Sequence, residues 1–151
     1  MNYKNLKIYQ PQMEYRRFGK TNKKLSVITM GGMRFKHGWD DPREQIPSDT
    51  LKECVDSVQQ AFAAGINHIE TAYGYKKSEH AFGLALNDEL NIKRDSYYLM
   101  TKGSAKTAGD MRRMVDNQLK ALKTDYFDFY GWHGINNQKL FDIACAKKGP
   151  V

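Results

Sequence analysis

From Ser26 onward the chain alternates short β-rich runs with amphipathic segments of helical period, and that alternation most narrows its folding options. SVITMGGM, beginning at Ser26, reads as a buried strand ending in glycines. Residues 34–48 are polar, contain Gly38, Pro42 and Pro47, and form a long loop. Ser48 or Asp49 stands where a helix N-cap belongs, and the helix runs from about Thr50 to Ala64. Its Leu51, Cys54, Val55, Val58 and Phe62 share one face, and Gly65 sits at C′. INHIE gives the next strand, Thr71 to Lys77 a loop, and Ser78 a cap for a helix carrying Ala81, Phe82, Leu84, Ala85 and Leu86. SYYLMTKG is a third strand. GDMRRMVDNQLKALK is a helix with Met111, Met114, Val115, Leu119 and Leu122 facing inward. TDYFDFYGWHG is a fourth strand, and its loop leads into KLFDIACAKK.

Strands alternating with helices imply right-handed βαβ units and a parallel sheet. The later strands begin about 30 residues apart, the pitch of a (β/α)8 barrel of ~250 residues. Four units make half of one. Periodicity alone leaves a small doubly wound sheet open as the other solution. No GxGxxG follows the first strand, so a dinucleotide site of that type has no support. Upstream, EYRRFGKTNKKLSV reads as a β-hairpin turning at Gly19–Asn22, and residues 1–12 as a flexible leader.

Composition removes several alternatives. Hydrophobic residues make up 40% of the 151, with 9 Tyr, 7 Phe and 2 Trp, which argues against disorder. No apolar run approaches the ~20 residues needed to cross a bilayer. The N-terminus lacks the apolar core of a secretory signal. Cys54 and Cys145 lie far apart with no CxxC and no nearby His at ligand spacing, so no metal site is expected. Free thiols fit a reducing cytosol, and a cytoplasmic location is the expectation. Lys+Arg exceed Asp+Glu, 24 to 17, which suits an anionic partner such as a phosphate-bearing cofactor. The basic residues come in scattered pairs, Lys76-Lys77 among them, and read as solvated surface. They form no block of the kind that binds nucleic acid.

Four polar residues fall at or just after the C-terminal ends of consecutive strands: Glu70 with Tyr75 in the loop beyond it, then Lys102, then His133. In a parallel barrel those ends converge on one face, where active sites lie. Reducing a carbonyl needs a hydride on carbon and a proton on oxygen. A phenol is a weak acid, and a neighbouring ammonium stabilises its phenolate. A carboxylate keeps the ammonium charged and aimed, and a neutral imidazole can donate a hydrogen bond to the carbonyl oxygen. Taken one at a time, each of these residues is also an ordinary strand-end side chain.

At these residues the sequence resembles the aldo-keto reductase superfamily, from Met13 to the end. MEYRRFGKTNKKLSVITMGGMRF is similar to the family's opening hairpin and first strand, and GINHIETAYGYKKSEHAFGLAL to the segment bearing its catalytic carboxylate and tyrosine. LMTKGS is similar to the strand with the catalytic lysine, and LKTDYFDFYGWHGIN to the strand with the catalytic histidine. The resemblance implies residues 13–151 as the N-terminal half of the barrel, with the chain truncated. It implies NADPH-dependent reduction of an aldehyde or ketone. Tyr75 would be the proton donor, Lys102 its partner, and His133 the residue that orients the carbonyl. Glu70 stands where the family usually has Asp. Gly32, Met33 and Arg34 resemble the stretch beside the nicotinamide. The residues that grip the rest of the cofactor come mainly from later strands in this family. The alternative is a non-catalytic half barrel that associates with itself or another chain through exposed sheet edges. A small carbonyl substrate is the expected partner on the first reading, with neither nucleic acid nor membrane.

Overall fold

The computed structural model describes residues 12–36 and 38–151, so the leader expected over residues 1–12 lies outside them save for Gln12. A hairpin comes first, with β1 (Tyr15–Arg17) antiparallel to β2 (Lys24–Ser26). Four strands follow: β3 (Met30–Gly31), β4 (His68–Glu70), β5 (Tyr98–Gly103) and β6 (Phe129–Trp132). Between them stand α1 (Ser48–Ala63), α2 (Ser78–Gly83, continued by a wider π-helical turn over Leu84–Glu89) and α3 (Ala108–Leu122), and α4 (Gln138–Ala144) comes after β6.

The four later strands are all parallel and neighbour one another in chain order, β3-β4-β5-β6. That order separates the two solutions left open by the periodicity. A doubly wound sheet places its first strand in the interior, flanked on both sides. Here β3 is at an edge, as the first strand of an opened barrel must be. The architecture is therefore the first half of a (β/α)8 barrel behind an N-terminal hairpin.

Alternation along β5 shows how the sheet divides its faces. Leu99, Thr101 and Gly103 are buried, while Tyr98, Met100 and Lys102 are only half-buried. The buried face packs on the helices. Ile69 and Leu99 from the sheet meet Cys54 and Val58 of α1 and Phe82 of α2, and Phe35 lies edge-on to Phe82 at 5.2 Å. The apolar stripe of α1 expected from its spacing is the one that packs, and Gly65 after it takes φ +83°. The hairpin closes the opposite, N-terminal end of the sheet, with Phe18 4.7 Å from Phe129.

At three places the chain departs from its local pattern. SVITMGGM is not one buried strand: only Met30–Gly31 joins the sheet, and Val27 and Ile28 are 51% and 55% exposed. Asn67 explains the break, because it accepts from the Ser26 amide and donates its own amide to the Ser26 hydroxyl, holding the chain on the hairpin before it reaches the sheet. Pro47, not Ser48 or Asp49, occupies the N-cap of α1, and Asp49 instead turns its carboxylate to the Thr50 amide in the first turn. Ser78 does not cap α2 either. It is the first helical residue, and its hydroxyl lies 2.8 Å from that of Thr71, tying β4 to the helix that follows.

His68 sits on the inner face of β4. Its Nδ1 lies 2.9 Å from the Thr29 hydroxyl, while its Nε2 is buried with no hydrogen-bond partner among the described residues. Burial lowers its pKa below the ordinary 6.5, against the opposing charges of Glu70 and Asp128. The unfolded chain therefore binds a proton more readily than the folded one, and stability present above pH 6.5 is lost as pH falls below it. His80 and His133, also lowered by burial, act in the same direction, while Glu79, raised by burial, opposes them. Urea unfolding should show stability falling from pH 7.5 to 5.5, and His68→Leu should make that fall shallower. An unchanged slope in the variant would contradict a neutral, buried His68.

Candidate active site

Glu70 is the last residue of β4, Lys102 the last but one of β5, and His133 the residue after β6. Because the strands are parallel, all three lie at one end of the sheet. Tyr75 follows β4 on a single 3-10 turn, Tyr73–Tyr75, closed by its amide donating to Ala72 O at 2.9 Å. The four residues predicted from their spacing are brought into contact.

The Lys102 ammonium donates to Glu70 Oε1. In register, Lys102 pairs with Gly131 and Glu70 with Met100, so the lysine stem must lean back along the sheet to meet the carboxylate. On the other side of Lys102, Gly131 is packed closely: a Cβ there would stand 3.3 Å from both Lys102 Cγ and Met100 Cε. Lys102 Nζ lies 4.9 Å from the centre of the Tyr75 ring, within cation–π range. The Tyr75 and His133 rings meet edge to face at 5.5 Å and 89°. The His133 amide donates to Gly103 O at 2.7 Å, which extends the β5–β6 ladder and fixes the base of the imidazole. Burial lowers the His133 pKa, and the Lys102 charge adds to the effect against Glu70. At neutral pH the ring is uncharged and carries one N–H to donate.

Gly32, Met33 and Arg34 follow β3. The Gly32 amide donates to Glu70 O at 3.0 Å. A Cβ on Gly32 would stand 2.2 Å from Ser78 Oγ and 2.3 Å from Phe82 Cε2, so this glycine lets the strand end press onto α2. Met33 is exposed, and Arg34 lines a shallow hollow with Phe35, Glu53 and Ser57 on the α1 side. No described hydrogen bond or ring contact joins Met33 or Arg34 to the other four.

A buried polar network behind Lys102 escaped the sequence reading. Glu79 Oε1 accepts from the Thr101 hydroxyl and from Gln118 Nε2, both at 2.6 Å. Gln118 Nε2 also lies 3.1 Å from Lys102 O, and its Oε1 accepts from the Tyr130 hydroxyl at 2.7 Å. The helix after Tyr75, the strand of Lys102 and α3 are thereby cross-tied. Burial pushes the Glu79 carboxyl up, opposed by its bonds to Thr101 and Gln118. Gln118 did carry a signal, since it lies four residues from both Met114 and Leu122 on the inward face of α3. Lys77, read as half of a solvated pair, is fully buried.

The aldo/keto reductase family model matches residues 27–142. The chain belongs to this family. D-arabinose 1-dehydrogenase of Saccharomyces cerevisiae is 30% identical over 132 residues, which cover 82% of this chain and 38% of the relative. An NAD/NADP-dependent indole-3-acetaldehyde reductase of Schizosaccharomyces pombe is 35% identical over 79 residues, 52% of this chain and 27% of the relative. Among solved structures, an aldo-keto reductase of Pseudomonas aeruginosa superposes with a TM-score of 0.71 at 26% identity, over 87% of this chain and 51% of that one. The chain thus spans about half, or less, of the length of the relatives it matches. Among the described residues, no helix of this family member is long and apolar enough to cross a membrane.

The electrostatics of the cluster can be tested on His133 alone. An NMR titration should place its pKa below 6.5, and Lys102→Met should raise it, because one of the causes of the lowering is removed. A His133 pKa that falls, or stays put, in Lys102→Met would mean that the Lys102 charge does not act on the imidazole.

Proposed function

We propose that the cluster carries the proton side of an NADP-dependent reduction of aldehyde or ketone carbonyls. The observation that carries this reading is the contact of phenol, ammonium, carboxylate and imidazole at the C-terminal ends of three parallel strands. Membership of the family supports an oxidoreductase, and the nicotinamide dependence in the name of the Schizosaccharomyces pombe relative supports the cofactor class.

When bound, a nicotinamide supplies the hydride. Gly31 pairs with Glu70, and nothing lies within 4 Å of where its Cβ would stand, so no side chain of the described residues blocks the approach of a flat ring at that point. Gly32, Met33 and Arg34 are the proposed contacts at that end. The Tyr75 hydroxyl gives its proton to the carbonyl oxygen. The Lys102 ammonium steadies the phenolate that remains, and Glu70 keeps that ammonium aimed. His133, neutral, donates a hydrogen bond that orients the carbonyl.

The experiment joins this chain to the rear half of a close relative and follows carbonyl reduction. Tyr75→Phe keeps the ring and removes the acidic proton, and Lys102→Met removes the ammonium. Each should cost ~10²–10⁴-fold or more, the usual worth of general acid catalysis. Glu70→Asp should keep or raise activity if the carboxylate only holds Lys102. A Tyr75→Phe variant as fast as its parent would end the assignment. For the 151-residue chain alone, we expect NADPH to bind no tighter than ~100 μM, about 5.5 kcal/mol, since Gly32, Met33 and Arg34 are the only contacts this reading gives the cofactor. Micromolar binding in a fluorescence titration would contradict this.

A second reading, a half barrel that associates with itself or another chain, is favoured by one observation. Among the described residues β3 and β6 are unpaired on their outer edges, and Val27 and Ile28, just before β3 in the chain, are exposed. Sedimentation velocity should show association of the chain, and a monodisperse monomer across a hundredfold range of concentration would count against it.

A further inference from the structure

Two cations working in opposite directions fasten the loop between β3 and α1 to the turn that carries Tyr75. Lys77 lies two residues beyond Tyr75, and its side chain is 1% exposed. Its ammonium donates to Pro42 O and Gln45 O, each at 2.6 Å, and stands 3.8 Å from the Asp41 carboxylate. In return, Arg43 of the loop donates to Tyr73 O at 2.5 Å and Lys76 O at 3.3 Å. Its guanidinium covers the Tyr73 ring at 3.7 Å. Two side chains thus make four hydrogen bonds between residues 42–45 and residues 73–77.

Three features point from this clamp to Tyr75. A lysine has a long, flexible stem and ordinarily carries its charge to water. Lys77 instead buries an ammonium, which a fold tolerates only where hydrogen bonds and counter-charge replace the solvent. Lys76, between Tyr75 and Lys77, takes φ +55°, a conformation that a side chain other than glycine holds only when its surroundings impose it. The clamp grips both sides of that residue. Finally, no side chain among the described residues hydrogen-bonds the Tyr75 hydroxyl, so the ring is aimed by its backbone and by its contacts with Lys102 and His133.

We infer that Arg43 and Lys77 are positioning residues: by locking the 73–77 turn to the 42–45 loop, they set the Tyr75 phenol against His133 and Lys102. What Tyr75 does there rests on the carbonyl-reductase reading; where Arg43 and Lys77 hold it does not. The test is therefore structural and needs no turnover. In the parent chain, NMR should give cross-ring NOEs between the ring protons of Tyr75 and His133, as expected of an edge-to-face pair. Lys77→Met and Arg43→Gln should each weaken or abolish those NOEs. The His133 amide, bonded to Gly103 O, should keep its hydrogen-exchange protection. Arg43 is only half-buried, so Arg43→Gln decides the matter if Lys77→Met does not fold. Either variant, folded and with parental Tyr75–His133 NOEs, overturns the inference. A parent chain without them overturns it too. Failure of the functional reading would appear elsewhere, as an active Tyr75→Phe in the restored barrel.

Discussion

All four strands of the main sheet run the same way and sit side by side in chain order, so every strand delivers its last residues to one end. Most of the structure depends on that constraint. Parallel pairing needs a long crossover between neighbours, and α1, α2 and α3 provide the crossovers while covering one face of the sheet. The other face becomes the inside of a barrel. At its C-terminal rim stand Glu70, Lys102 and His133, residues separated by 32 and 31 positions that no local structure would bring together. The site is thus a product of topology first and of side-chain chemistry second.

The chemistry then depends on room. Lys102 leans toward Glu70 on β4, and on its β6 side Gly131 leaves the lysine stem close to a bare backbone. The Glu70 side chain spans the offset between its position opposite Met100 and that of Lys102 opposite Gly131. Behind the sheet, Glu79 and Gln118 hold the Lys102 carbonyl and Thr101 hydroxyl from two different helices. A buried carboxylate with such partners is costly to assemble and rigid once satisfied, which suits a platform for groups that must meet within hydrogen-bond reach.

Much of this was legible in the sequence because period and order carry it. The apolar stripe of α1, a helix read over residues 109–123 and found at Ala108–Leu122, and the positions of Glu70, Tyr75, Lys102 and His133 at or just after strand ends follow from spacing, and the hairpin from the turn-prone Gly19–Asn22. What was not legible depended on contacts between distant segments. Val27 and Ile28 read as core, yet Asn67, some forty residues on, holds Ser26 on the hairpin and leaves them outside. Lys77 read as surface because a lysine pair is ordinarily solvated, and its burial depends on carbonyls supplied by Pro42 and Gln45. Ser78 read as a cap, and Thr71 took its hydroxyl instead. In each case a polar side chain found a partner that the local pattern could not name.

The site exists only if the sheet brings the carboxylate of β4 and the ammonium of β5 into contact. A double-mutant cycle on the unfolding free energy tests it most directly, with Glu70→Gln, Lys102→Met and the two combined. Side chains in contact couple by ~0.5–3 kcal/mol, whereas distant, independent sites add. The structure predicts coupling within that range. Strict additivity of the two substitutions would mean that Glu70 and Lys102 do not meet, and the site built on them would fall.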